Sequence, residues 1–342
     1  MGLETLKPFG RKAAPNARVI AGVLVCACAL LASGCASMWP QTAELRHALP
    51  PGMPEQAELR EVPFFPQEEY QCGPAALATV LAASGVKVTP EELVPQVYLP
   101  GRKGSLQVEM LAAARRHGLV AYQLAPRFED LLRELAAGNP VIVLQNLGVG
   151  DGWHYAVAVG YDYDGGVLVL RSGTTERELM PFTVHEVVWK RSNYWAMVAL
   201  PPDRIAATAD ESRWLGAVGA LERTGGAASA RLAYASFLER WPDNVNAAIG
   251  LANSQYALGA LAQAERVLRD ALKRAPDSII VLNNLAQTLS DQGKNEEALP
   301  LIERAVERTG ATGPYAKAVL ETRDTVRRRL SGKQGEDPLR RE

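Results

Sequence analysis

Gly225, Gly259 and Gly293 stand 34 residues apart, and so do Ala230, Ala264 and Ala298. A self-similar period of this length marks a helix–turn–helix unit that cannot bury its apolar face alone, so neighbouring units must stack into one continuous core. The step from each Gly to its Ala spans a tight helix–helix turn. The small Ala lets the two helices approach closely, and Tyr234, Leu268 and Ile302 fill the space between them. Phe237, Ala271 and Ala305 share a further position, and Pro242 and Pro276 close the first two units. The units run 211–244, 245–278 and 279–312. Pro314–Leu330 is expected to cap the last exposed apolar face, and 331–342 reads as a disordered tail.

This pattern resembles tetratricopeptide repeats, with Trp214, Leu251 and Leu285 at the large-residue positions. The resemblance implies an all-α solenoid whose concave face binds a peptide or another protein. Repeat geometry puts Asn246, Asn253, Asn283, Asn284 and Gln287 on that face. Carboxamides donate and accept together, which suits an extended backbone.

A chain of 342 residues is too long for one ordinary core, and the pattern changes near residue 205, where Pro201-Pro202 interrupts regular structure. Residues 61–200 mix helical and β-rich runs. Helices are expected over 73–84, after the Thr89 cap and Pro90, over 105–117 and over 127–137. Strands are expected over 119–124, 141–145, 153–161, 166–171 and 194–200, the middle pair a hairpin across Asp162-Tyr163-Asp164-Gly165. Helices before an antiparallel sheet make an α+β order.

Residues 1–18 carry Lys7, Arg11, Lys12 and Arg18 against Glu4, and an apolar run follows from Val19 to Ala32. That run is short for a membrane span but fits an export signal. It ends Leu31-Ala32-Ser33-Gly34-Cys35, which resembles the lipobox of a bacterial lipoprotein. The resemblance implies cleavage of 1–34, acylation of Cys35 and, with Ala at 36, a place at the outer membrane facing the periplasm. Residues 35–60, rich in Pro, Ala and Glu, then read as a tether. Losing four bases and one acid takes the net charge from −1 to about −4, with no basic patch to suggest nucleic acid.

Cleavage would also remove Cys26 and Cys28 and acylation would occupy Cys35, leaving Cys72 as the one free thiol. An unpaired cysteine in an oxidising compartment, at a helix start, is a candidate nucleophile. His154 opens the apolar strand His154–Gly160 after a polar loop, where it can face a cleft as a base. Gln67 can offer its amide to an oxyanion. His47, His117 and His185 are scattered, and no spacing suggests a metal site or a cofactor.

Five pieces now fall in order: Val62-Pro63-Phe64-Phe65-Pro66-Gln67, Cys72-Gly73-Pro74-Ala75-Ala76-Leu77, Gly104-Ser105 with Arg116-His117-Gly118-Leu119, Asn139-Pro140-Val141-Ile142-Val143-Leu144, and His154–Asp162. Together they resemble the C39-type cysteine peptidases, a papain-like group. The resemblance implies an α+β papain-like domain in which Cys72 attacks a peptide carbonyl, His154 relays the proton and Gln67 helps form the oxyanion hole. Well-known members cut after Gly-Gly. The family usually orients its histidine with an Asp or Asn on the next strand. Here that stretch is Val169-Leu170-Arg171-Ser172-Gly173-Thr174, leaving Ser172, Thr174, a backbone carbonyl, the hairpin acids Asp162 and Asp164, or the displaced Glu176 and Glu178 as candidates. Trp153 and the loop 146–151 are expected to wall the cleft. The reading is a lipid-anchored periplasmic cysteine peptidase whose repeats recruit substrate or partner. The alternatives are a non-catalytic peptide-binding scaffold, and an amidase or transferase using the same thiol.

Overall fold

A computed structural model describes residues 38–67, 71–148, 152–310 and 312–334. Cys35, the export segment and residues 335–342 lie outside the described residues, as do 68–70, 149–151 and 311.

Apolar runs with strand spacing build an antiparallel sheet: β4 (Val120–Gln123), β5 (Val141–Asn146), β6 (Trp153–Asp162), β7 (Val167–Ser172), β8 (Thr175–Pro181) and β9 (Ala196–Leu200). Their order is β4-β9-β5-β6-β7-β8, and β1 (Gln56–Glu58) pairs with the far half of β6. β6 is the spine. Its first half pairs with β5 and its second half with β1, with an irregularity at Ala158/Gly160 on the β7 side. Gly160 is needed there, because a Cβ would come within 2.9 Å of Glu58 Cα and closer still to the Ala57 carbonyl.

Strand side chains alternate between two faces, and each face has its own core. On one lie α2 (Cys72–Ala83), α3 (Pro90–Val97) and α4 (Gln107–Arg116), packed on Ile142, Leu144, Tyr155, Val157 and Met197. The sequence of α2 is apolar on every side, and Gly73 through Leu81 are all buried. The Thr89–Glu92 capping box starts α3 and contributes about 1 kcal/mol. On the other face lie α5 (Phe128–Ala136) and α6 (Phe182–Lys190), packed on Val141, Val143, Ala156, Ala158, Leu168 and Leu170.

The segment expected to be a tether is folded. Residues 40–45 form α1 (Pro40–Leu45), and the buried carboxylate of Glu186 on α6 accepts the Gln41 and Thr42 backbone N–H groups at 2.9 and 2.6 Å. An acceptor at a helix N-terminus satisfies orphan donors and complements the dipole. A small hairpin, β2 (Tyr98–Leu99) with β3 (Gly104–Ser105), precedes α4, which starts two residues later than expected. The polar strand β8 was also not expected.

The C-terminal half is helical throughout: α7 (Glu211–Gly225), α8 (Ala227–Arg240), α9 (Val245–Ala257), α10 (Leu261–Arg274), α11 (Ile279–Asp291), α12 (Asn295–Thr309) and α13 (Ala316–Gln334). Ala230, Ala264 and Ala298 are buried at the helix crossings, as are Phe237, Ala271 and Ala305. A Cβ at Gly250 would overlap the Tyr234 ring. Gly259 and Gly293 take positive φ in their turns. In the first unit the positive φ falls on Gly226, while Gly225 still belongs to the helix. Helix α13 buries Val319 and Val326 and runs on through residue 334, so the expected tail begins as helix.

The repeats are not a separate body. Trp214 on α7 meets Tyr122 on β4 edge to face at 5.2 Å, and one apolar cluster runs from Phe128 through Trp214 to Phe237. The linker is tied down by buried Glu134 on α5, which accepts from Thr208 N–H (2.7 Å), Thr208 O–H (2.6 Å), Ala207 N–H (3.3 Å) and Asn139 Nδ2 (2.6 Å).

Candidate active site

Cys72 is the first residue of α2, so its side chain sits at the positive end of the helix. It is the one free cysteine among the described residues. Gly73 follows because nothing larger fits: a Cβ would overlap the hydroxyl of Ser105, which closes over the helix start from β3. Burial pushes the Cys72 thiol up, and backbone N–H groups of Tyr155, Gly73 and Cys72 act against it.

His154 enters the same cleft from the start of β6, opposite Gln145 on β5. Its Nε2 lies 3.0 Å from Ser172 Oγ at the end of β7. That contact leaves Nδ1 as the ring nitrogen able to address the thiol. Burial lowers the imidazole below its usual range, and the carboxylate of Glu178 draws it back up. No hydrogen bond joins Cys72 to His154, and both shifts favour the neutral thiol and neutral imidazole. Such a resting pair works by general-base transfer when a substrate draws the two together.

Gln67 is held by its backbone N–H to the Gly173 carbonyl (3.0 Å) and by Nε2 to the Tyr155 carbonyl (3.3 Å). A carboxamide has two N–H donors, so one remains for the cleft. Arg171 supports this arrangement from beneath. It is buried and donates to the carbonyls of Val62 (3.2 Å), Arg60 (3.4 Å) and Glu176, clamping the approach to Gln67 onto β7.

The structure thus brings Cys72, His154, Gln67 and Trp153 to one cleft and sets Ser172 behind the histidine. It excludes Asp162 from the site. Asp162 closes β6 eight residues beyond His154, about 26 Å along an extended strand, and accepts the Gly165 N–H in the hairpin turn. Thr174 is exposed in the β7–β8 turn. Nor is the cleft a narrow apolar slot. It encloses about 1290 Å³, with Trp153 54% exposed on its rim and Arg102, Asn146 and Arg191 in its walls. On the β2–β3 hairpin only Gly104-Ser105 belongs to a motif; the walls from 100–103 and from 191–193 after α6 carry none and could be found only from the fold.

The carboxamides of the repeats lie elsewhere. Asn284 Nδ2 donates to Asn253 Oδ1 at 2.9 Å, joining α11 to α9, and Asn283 Nδ2 donates to Asn284 Oδ1 at 3.2 Å. Gln287 Nε2 donates to Asp291 Oδ2 at 2.8 Å. They form a polar ladder along neighbouring helices. Among the described residues no group of three or more His, Cys, Asp or Glu could hold a metal ion, and no helix is long and apolar enough to cross a membrane.

Comparison with known proteins agrees with this architecture. Residues 59–197 match the Peptidase_C39 like family, and 224–283 and 280–312 match tetratricopeptide repeats. An uncharacterized protein of Methanothermobacter thermautotrophicus (strain Delta H) is 32% identical over 102 residues, a match that spans 30% of this chain and 66% of that protein. Two solved structures are similar to part of this chain. One, from Bacillus anthracis, is of a proposed C39-like peptidase (17% identity, TM-score 0.38, 45% of this chain and 100% of that one). The other is a double glycine motif protease from an AMS/PCAT transporter in complex with the leader peptide (22% identity, TM-score 0.32, 42% and 96%). The chain therefore consists of a C39-like peptidase domain followed by tetratricopeptide repeats.

Proposed function

We propose that this C39-like domain is an active cysteine peptidase working by acyl transfer. The observation that carries the reading is the convergence of Cys72, His154 and Gln67 in one cleft, with His154 Nε2 engaged by Ser172. In the proposed cycle Cys72 Sγ attacks the carbonyl carbon while His154 Nδ1 takes the thiol proton. The oxyanion accepts from Gln67 Nε2 and the Cys72 backbone N–H, both supplied by fixed donors. Collapse breaks the C–N bond as His154 returns the proton to the leaving amine. A water, deprotonated by His154, then cleaves the thioester and regenerates the thiol.

The substrate is a peptide or protein. A Gly-Gly-type site comes from the family resemblance, and a cleft of this size and polarity does not by itself select glycine. The repeats would recruit substrate or a partner, and the shared core with β4 means they would present it at a fixed angle rather than on a flexible leash. The lipobox at Cys35 supports an anchored protein on the periplasmic face of the outer membrane. In that case only four residues separate the acylated cysteine from the start of α1. Incubating the chain with peptide libraries and sequencing the products tests the activity, and Cys72→Ala should abolish all products.

A non-catalytic scaffold is the second reading. It is favoured by the hydroxyl standing where the family has Asp or Asn, and by the lack of a direct Cys72–His154 hydrogen bond. Acyl transfer to an acceptor other than water, as in an amidase or transferase, would use the same residues.

A further inference from the structure

The side chain behind the histidine is a hydroxyl, which changes what the site requires. A carboxylate can only accept from Nε2–H, so it fixes the tautomer that leaves Nδ1 free. A serine can accept from Nε2–H or donate to a bare Nε2, and the second choice puts a hydrogen on Nδ1, where it cannot take the thiol proton. Something must choose for Ser172.

Strand register shows which group is placed to do so. Ala158 pairs with Leu170, and Leu170 pairs with Glu178. Directly paired residues share a face, and Ala158, Ala156 and His154 alternate onto that same face. His154, Ser172 and Glu178 therefore lie on one side of three consecutive strands, with the hydroxyl on the central one; Ser172 itself pairs with Thr175, and the β7–β8 register shifts between Leu170 and Ser172, so Glu178 stands diagonally from the hydroxyl rather than opposite it. Glu178 is partly buried and makes no hydrogen bond or salt bridge to any described residue.

The other charges around β6 are committed, remote or on the cleft rim, where Arg191 donates to the Asn146 carbonyl (2.8 Å) and the exposed Arg102 and Lys103 line the wall from the β2–β3 hairpin. On α6, Glu186 holds the start of α1, and Lys190 is exposed at the helix end. On α5, Glu134 holds the linker, while Asp130 and Glu129 pair with Arg127 and Arg133. On β7, Arg171 is turned to backbone carbonyls; on β8, Arg177 pairs with Glu58 of β1, and Glu176 is exposed. His185 on α6 is wholly buried against Gln145.

We infer that Glu178 is a positioning residue: with no hydrogen bond to Ser172 in this structure, its carboxylate acts through its field, turning the Ser172 hydroxyl hydrogen toward β8 and a lone pair toward His154, and so holds the imidazole as the Nε2–H tautomer. It would supply, from one strand further out, the charge that the family places directly on the histidine. The field of Glu178 also opposes the effect of burial on His154. The inference deepens the peptidase reading and rests on it for its purpose.

The test uses the full chain with ¹⁵N-labelled histidine. The sequence has four histidines, and His154→Ala identifies the signal of interest. In the wild type the Nε2–H tautomer should dominate at neutral pH. Glu178→Gln should mix the tautomers and lower the His154 midpoint by about half a pH unit or more, and Glu178→Asp should restore much of both. In a Ser172→Ala background, Glu178→Gln should no longer change the tautomer ratio. A tautomer ratio and midpoint unmoved by Glu178→Gln would overturn the inference. Failure of the peptidase reading looks different: Cys72 alkylation would ignore His154→Ala while the Glu178 effect on the imidazole persisted, and the coupling would stand.

Discussion

His154 Nε2 meets Ser172 Oγ at 3.0 Å, so the only side-chain hydrogen bond of the candidate base to a described residue goes to a neutral hydroxyl. A hydroxyl stabilises an imidazolium less than a carboxylate does, and burial already disfavours that cation. Ser172→Asp should therefore raise the His154 midpoint and increase Cys72 alkylation near neutral pH by about tenfold, while Ser172→Ala should lower it by a similar factor. Stopped-flow alkylation across pH, with His154→Ala as the reference, measures both.

Gly73 and Ser105 touch where the helix of the candidate nucleophile begins. Gly73→Ala forces a Cβ into the Ser105 side chain. It should cost roughly 1–3 kcal/mol and displace Cys72. Ser105→Gly in the same chain should return most of that stability, which urea unfolding of the single and double variants would show.

Glu134 ties the linker to the first domain through three donors on Ala207 and Thr208. Glu134→Ala leaves buried donors unsatisfied and should destabilise by roughly 2–4 kcal/mol. Thr208→Val keeps the backbone donor and should cost about 1 kcal/mol. If the two halves share one core, both variants should shift the unfolding of the peptidase domain and the repeats together. Calorimetry would reveal a separation into two transitions if they do not.

His185 is wholly buried, and burial lowers its pKa to about 3. The unfolded chain binds a proton there below about 6.5, while the folded chain stays neutral to about 3. Stability should therefore fall as pH drops through that window, by up to about 1.4 kcal/mol per pH unit from this residue. His185→Phe places another ring among Phe128 and Trp189. It should flatten that slope in pH-dependent unfolding, whatever its cost at neutral pH.

Much of this was legible because the pattern was local. The 34-residue period placed Ala230, Ala264 and Ala298 at buried crossings, and the apolar runs of β5, β6 and β7 announced a sheet buried on both faces. What escaped depends on distant partners. Pro40–Leu45 looks like linker because its helix is held by Glu186, 145 residues away from Gln41. Thr175–Pro181 is polar because it is the edge strand, exposed along most of its length. Asp162 already stands in the hairpin turn, away from His154, on the sequence, and the length of β6 sets it about 26 Å along the strand. Ser172 could be placed beside His154 only once the β6–β7 register was fixed, because spacing alone does not say which of Ser172 and Thr174 turns toward the ring.

The account stands on Cys72 and His154 acting as one activated pair. The most direct measurement is the rate at which a peptidyl electrophile forms an adduct at Cys72 in the native chain, followed by mass, with and without His154→Ala. Labelling well above that of a free thiol, collapsing in His154→Ala, is the predicted result. Labelling no faster than a free thiol, and indifferent to His154, would contradict the account and leave the scaffold.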